Sequence, residues 1–202
     1  MIPVLYESAG IVIVDKPAGV PTIPDRFGSD CVQAVLGRER GERLWVVHRL
    51  DREVSGVLVF ARTAEAHRTL SMAFEDHTVH KTYEALTDGV YAAGEHRFEN
   101  KLLRGKKRAY VSPHGKPAIT LATCLGPSRQ GLRWRLHPVT GRNHQLRVHL
   151  AGVGCPIRGD ALYGATAPWT DGIALRAVAI DLPALGDEPA RTHTATTLFE
   201  SK

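Results

Sequence analysis

The sequence has little that would serve metal or cofactor chemistry. Its 202 residues hold three cysteines, Cys31, Cys124 and Cys155, far apart and in no CxxC pair. They read as reduced, mostly structural thiols of a cytoplasmic protein, and a disulfide framework is not expected. There are ten histidines, but His77 and His80 are three apart, His144 and His149 are five apart, and no HExxH occurs. That spacing gives no zinc site, and no metal is expected. The patterns GxxxxGK[ST], GxGxxG and GxSxG are also missing. Their absence removes the usual nucleotide-binding and serine-hydrolase readings and leaves no cofactor implied. The opening MIPVLYESAGIVIVDKP has no basic segment and no long apolar stretch, so neither a secretory signal nor a membrane span is expected.

What is present is an ordinary globular composition, 43% hydrophobic and 23% charged, with Lys and Arg at 26 against 21 Asp and Glu. The resulting net charge of +5 favours a polyanionic partner only modestly, so a site has to carry the functional argument. The length suits one compact domain over 1–202, with no separate N-terminal RNA-binding domain, no repeat and no visible linker. A monomer is expected.

Short strands are predicted at Val4–Glu7 and Ile11–Asp15, joined at Ala9-Gly10 and broken by Lys16-Pro17-Ala18-Gly19. Ser29 or Asp30 is placed to cap a helix over Cys31–Arg38. Leu44–Val47 reads as extended and apolar. Val57–Ala61 is a continuous apolar run suited to a strand buried on both faces. Thr63 caps a helix over Ala64–Glu75 whose stripe is Ala66, Leu70 and Phe74. Lys81–Thr87 is a further strand. Phe98–Leu103, Ala109–Pro113, Ile119–Leu125 and Leu132–Leu136 read as an antiparallel meander. A helix is predicted over Asn143–Ala151, with Arg147 at the edge of its buried face and able to point into a cleft. Ile173–Leu182 is expected to cover a sheet edge. The fold class is therefore α+β: a mixed, mostly antiparallel sheet flanked by a few helices.

Asp51 stands between two apolar strand candidates in HRLDREVSG. A carboxylate there has to face a cleft or find a partner, because burying it alone costs too much. Taken by itself it fits a surface-loop aspartate equally well. Its company changes the reading. HRLDREVSG resembles the HRLDxxTSG signature of the RluA-type pseudouridine synthases. KTYEAL, TGRNHQLRVHL, PIRGDALYG and DKPAGVPTIP resemble four further segments of that family, and all five occur in the family's order between residues 15 and 164. The departures are Val54 where Thr is usual and Arg176 in a segment where the family commonly has LHA.

The resemblance implies a pseudouridine-synthase-like catalytic domain that isomerises uridine in a structured RNA, a tRNA or ribosomal RNA stem-loop. It gives Asp51 the role of nucleophile or base and Arg147 that of the cation holding it ionised. Tyr83 offers a ring to stack on the base and a hydroxyl that can carry a proton. The target uridine has to be flipped out of its stack. Arg49 is placed to fill the gap, with a phosphate contact as its other reading. His48 lines the pocket or makes a structural hydrogen bond. Lys106, Lys107 and Arg108 form a basic run fit to grip phosphates, with Arg142 and Lys16 as similar candidates. Two rivals stay open from the residues alone. One is an RNA-binding domain without catalysis. The other is an aspartate-dependent hydrolase of glycosidase type, which needs a second carboxylate that only Glu53 offers nearby.

Overall fold

The computed structural model describes residues 2–24, 30–186, 188–196 and 198. In chain order the elements are β1 (Val4–Glu7), β2 (Ile11–Lys16), α1 (Val32–Arg40), β3 (Trp45–Val46), β4 (Ser55–Ala61), α2 (Ala64–Glu75), β5 (His80–Thr87), β6 (Gly94–Arg104), β7 (Ala109–Val111), β8 (Lys116–Ser128), β9 (Gly131–Pro138), α3 (Gln145–Gly152), β10 (Leu175–Leu182) and β11 (Arg191–Thr194). A single 3-10 turn spans Ala161–Tyr163. The chain forms two compact units, 1–81 with 176–197, and 82–175 with 198–202.

The first unit is built on β2 and β4, antiparallel from Ile11 opposite Ala61 to Lys16 opposite Gly56. Both strands are apolar at consecutive positions because both faces are covered. Ile11, Ile13, Val57, Val59 and Ala61 pack with Leu70 and Ala73 of α2 and with Ile180 and Leu182 of β10, while Val12, Val14, Leu58 and Phe60 are completely buried as well. Each such side chain contributes roughly 1.5–3 kcal/mol of transfer free energy. α2 begins where predicted, with the Thr63 hydroxyl accepting from Ala66 N at 3.1 Å.

Two expectations need correction here. Of the two caps expected for α1, Ser29 lies outside the described residues and Asp30 does not cap the helix. The Cys31 sulfur accepts from Ala34 N, and Asp30 instead pairs with Arg38. Nor does β10 serve as a cover strand. It pairs in parallel with β4 at Arg176–Ala177 and antiparallel with β11 over Ala179–Leu182. Parallel pairing brings the β10 backbone against Gly56, whose φ is +113° and where a Cβ would lie 2.0 Å from the Ala177 carbonyl oxygen. Only glycine fits that position.

In the second unit the strand order is β5-β9-β8-β6-β7, antiparallel throughout. Trp134 on β9 is fully buried and donates its indole N–H to Thr87 Oγ1 at 2.9 Å. Helix α3 rests on this sheet, Val148 packing against Leu102, Ala109 and Ala118. It starts at Gln145, two residues later than predicted, because His144 is left-handed at φ 52°. The Gln145 side chain fixes that entry. Its Oε1 accepts from Thr140 Oγ1 (2.7 Å) and Arg142 N (3.0 Å), and its Nε2 donates to Ile119 O (2.9 Å) and Thr120 Oγ1 (3.0 Å). The α+β class and the mostly antiparallel pairing agree with the sequence reading, with β4–β10 parallel.

Candidate active site

Asp51 belongs to the first unit, in the loop between β3 and β4, and is half-buried. Its loop is clamped by the segment that follows β2. Thr22 Oγ1 donates to Leu50 O at 2.9 Å and accepts from Leu50 N at 3.2 Å. Gly19 N donates to Arg52 O at 2.8 Å, and Arg52 Nε returns to Gly19 O at 2.9 Å. A turn closes from Val54 N to Asp51 O, and Val54 itself is buried at 3% exposure, a setting that suits its methyls.

Lys16 is the first correction at the site. It does not offer its charge to a phosphate. The residue is fully buried, and its ammonium donates to the carbonyls of Pro17 (2.9 Å), Val20 (2.7 Å) and Arg52 (3.2 Å). Burial pushes its pKa down to about 8, against the pull of the Glu53 and Asp51 carboxylates. It is a buried tie between the two loop segments, and a local positive charge beside the acidic pair. His48 is likewise turned inward. Its Nε2 accepts from Val59 N at 3.1 Å, its ring stacks on Phe74, and burial lowers its pKa to about 3, so the imidazole is neutral. Arg49 is exposed on the same loop.

Tyr83 and Arg147 belong to the second unit. Tyr83 lies on β5 opposite Leu136 and is 9% exposed. Arg147 is not at the margin of an amphipathic helix, because α3 is buried all round from Gln145 to Leu150. At 3% exposure Arg147 donates from Nε and Nη2 to the two carboxylate oxygens of Asp160, at 2.7 and 2.8 Å, and Asp160 is 1% exposed. A charge this deep is tolerated only when paired and hydrogen-bonded. The Tyr163 ring lies 5.1 Å from the same guanidinium carbon.

The remaining cations of this unit divide. Lys106, Lys107 and Arg108 are exposed between β6 and β7, and Arg108 also donates to Leu162 O at 3.1 Å. Arg142, partly exposed, donates from Nε to Pro117 O at 2.9 Å. The candidate residues therefore fall into two sets, His48, Arg49, Asp51 and Lys16 on one unit, Tyr83, Arg147, Arg142 and the basic run on the other. Among the described residues no three His, Cys, Asp or Glu side chains gather as metal ligands.

Residues 10–152 match the model of the RNA pseudouridylate synthase family. The chain belongs to that family. Its members are isomerases that act on RNA, which sets aside the binding-only and hydrolase readings. An uncharacterized RNA pseudouridine synthase of Zymomonas mobilis is 39% identical over 171 residues, covering 80% of this chain and 78% of the relative. The Bacillus subtilis relative YhcT, also an uncharacterized RNA pseudouridine synthase, is 35% identical over 86% of the chain and 61% of its own length. Human pseudouridylate synthase RPUSD2 is 36% identical over 82% of this chain, which spans only 31% of that protein. The solved structure of human RNA pseudouridylate synthase domain containing 1 shares the fold at a TM-score of 0.83 and 24% identity, covering 99% of this chain and 85% of the human one.

Sequence reasoning missed Asp160 and Tyr163. Both lie in PIRGDALYG, a segment singled out for its resemblance, yet neither was chosen. The available signal was the Gly-Asp pair. Gly159 is held at φ +83°, with Trp169 Cβ 2.7 Å from where its own Cβ would be, so this turn beside the buried Asp160 requires glycine.

Proposed function

We propose that this chain converts a uridine in a tRNA or ribosomal RNA stem-loop to pseudouridine, with Asp51 as the nucleophile or base. The reaction breaks the N1–C1′ glycosidic bond, turns the detached base and joins C1′ to C5, whose hydrogen leaves as a proton while N1 takes one up. Atoms balance without any co-reactant. In this reading Arg147 keeps Asp51 ionised, Tyr83 stacks on the base, and Arg49 enters the space that the flipped uridine vacates. The observation that carries it is the family match over residues 10–152, a span that includes all four of these residues. A relative from Zymomonas mobilis named ribosomal large subunit pseudouridine synthase D, 31% identical over 80% of the chain, supports ribosomal RNA as one substrate class, although this chain spans 55% of it.

The exposed hairpin Lys106–Arg108 supplies phosphate contacts, joined by Arg142, and recognition follows loop shape rather than helix grooves. The protein acts as a cytoplasmic monomer. The test uses tRNA and ribosomal RNA carrying tritium at C5 of uridine. The wild type releases tritium to water without cleaving the strand, and Asp51→Asn binds RNA but releases none. Equal release by both proteins would remove Asp51 from the chemistry.

A further inference from the structure

The segment Ile157–Gly164 surrounds Arg147 on two sides and is itself tied to the basic hairpin. Asp160 takes the Nε edge of the guanidinium with two charge-assisted bonds of 2.7 and 2.8 Å. Three residues on, Tyr163 sets its ring 5.1 Å from the guanidinium carbon of Arg147 and 5.9 Å from that of Arg108. The Tyr163 hydroxyl accepts from Ala109 N and donates to Ala109 O, both at 3.0 Å, and lies 2.9 Å from His144 Nδ1. One tyrosine thereby joins three things: β7 of the hairpin, the left-handed residue that starts α3, and the face of the buried arginine.

A guanidinium has five N–H donors in a rigid fork. Two are held by Asp160, which fixes the plane of the group. We propose that Asp160 and Tyr163 are positioning residues for Arg147. The inference rests on the reading of Arg147 as the ion partner of Asp51. Neither residue touches the reacting atoms. Each acts through the arginine, so losing either leaves RNA affinity in place and slows the chemical step.

The test compares wild type, Asp160→Asn and Tyr163→Phe in the C5-tritium assay, on the RNA that the wild type modifies, with kcat and KM measured separately. Asp160→Asn removes the charge while keeping the shape, and it is expected to lower kcat about 100-fold with KM within about 3-fold, as for a catalytic group displaced by about an ångström. Tyr163→Phe loses only the hydroxyl, and a fall in kcat of about 10-fold with KM unchanged is expected. Should Asp160→Asn fail to fold, Tyr163→Phe decides alone. Wild-type kcat in the folded variants, or a loss that appears in KM instead, overturns the positioning role while leaving the isomerase intact. Absence of release by the wild type sinks the isomerase reading, and this inference with it.

Discussion

Acid should destabilise this protein through His149, and the size of the effect follows from its surroundings. His149 lies in the last turn of α3, is 2% exposed, has Nδ1 2.9 Å from Thr120 Oγ1, and has no hydrogen-bond partner for Nε2. A histidine near a helix C-terminus gains from the macrodipole, by about 2 kcal/mol at most. Burial outweighs that and pushes the pKa from 6.5 to about 4. The folded state therefore resists a proton that the unfolded chain takes up readily. Stability is complete above the unfolded value near 6.5, falls as pH drops below it, and levels off once pH passes below the folded value. Linkage gives a loss of about 2 kcal/mol between pH 8 and pH 5, rising to about 3 kcal/mol at full extent. His149→Gln removes the titration and keeps an acceptor for Thr120. The assay is urea unfolding at pH 8 and pH 5, followed by tryptophan fluorescence, since Trp134 is buried in the same unit. The wild type should lose about 2 kcal/mol more than the variant over that interval. Contributions from His48, which titrates in the same direction, are common to both proteins and cancel. Equal losses in the two proteins would refute the reasoning.

The corrected role of Lys16 makes a separate prediction. Lys16→Met should cost about 2–3 kcal/mol in chemical denaturation, because the Pro17, Val20 and Arg52 carbonyls each lose one charged donor, Arg52 O keeping Gly19 N. The salt dependence of RNA binding should stay at the wild-type slope, and a shallower slope would restore the phosphate reading. Replacing Lys106 and Lys107 together by Ala should make the plot of log affinity against log salt shallower by about 1.5, from two lost phosphate contacts. In that variant kcat at saturating RNA should stay within about 2-fold of wild type, because the change removes surface charge and leaves the residues assigned to bond making in place. An unchanged slope would show that the hairpin is only a solvated turn.

How far the sequence could be read depended on whether a feature was local. Helix α2 was legible at both ends because the Thr63 cap and the apolar spacing through Leu70 agree. Strand β4 announced burial on both faces by its unbroken apolar run over Val57–Ala61. The start of α3 was not legible. The residue that ends the preceding turn, His144, is held left-handed by a side-chain network reaching back to Thr120 and Thr140, and no local propensity encodes that. The same reason hid Asp160. It meets Arg147 across thirteen residues of irregular chain, a separation that matches no helical or strand period. Lys16 was misread because a lysine in a proline-glycine turn normally faces water, and nothing in the letters shows that three carbonyls there turn inward. The family segments, by contrast, were visible in the order they occur, and the match over residues 10–152 spans four of the five, PIRGDALYG lying beyond it.

These placements change what the net charge of +5 means. Buried or paired cations contribute little to the field that RNA meets. Lys16 and Arg147 are enclosed, Arg62 is paired with Glu42 and Glu7, and Arg176 with Asp15. Lys106, Lys107 and Arg108 are instead exposed on one short connection. A modest overall charge is thus compatible with a locally strong attraction, since exposed charges act over roughly a Debye length of about 8–10 Å. The two kinds of cation do different work. Arg147, held by Asp160 in a dry setting, keeps a fixed direction and interacts strongly with whatever carboxylate it meets. The hairpin lysines stay hydrated and adaptable, which suits a backbone contact that carries no sequence information. Tyr163, bonded to the Ala109 backbone and lying against both Arg108 and Arg147, is where the two kinds of cation come within reach of one side chain.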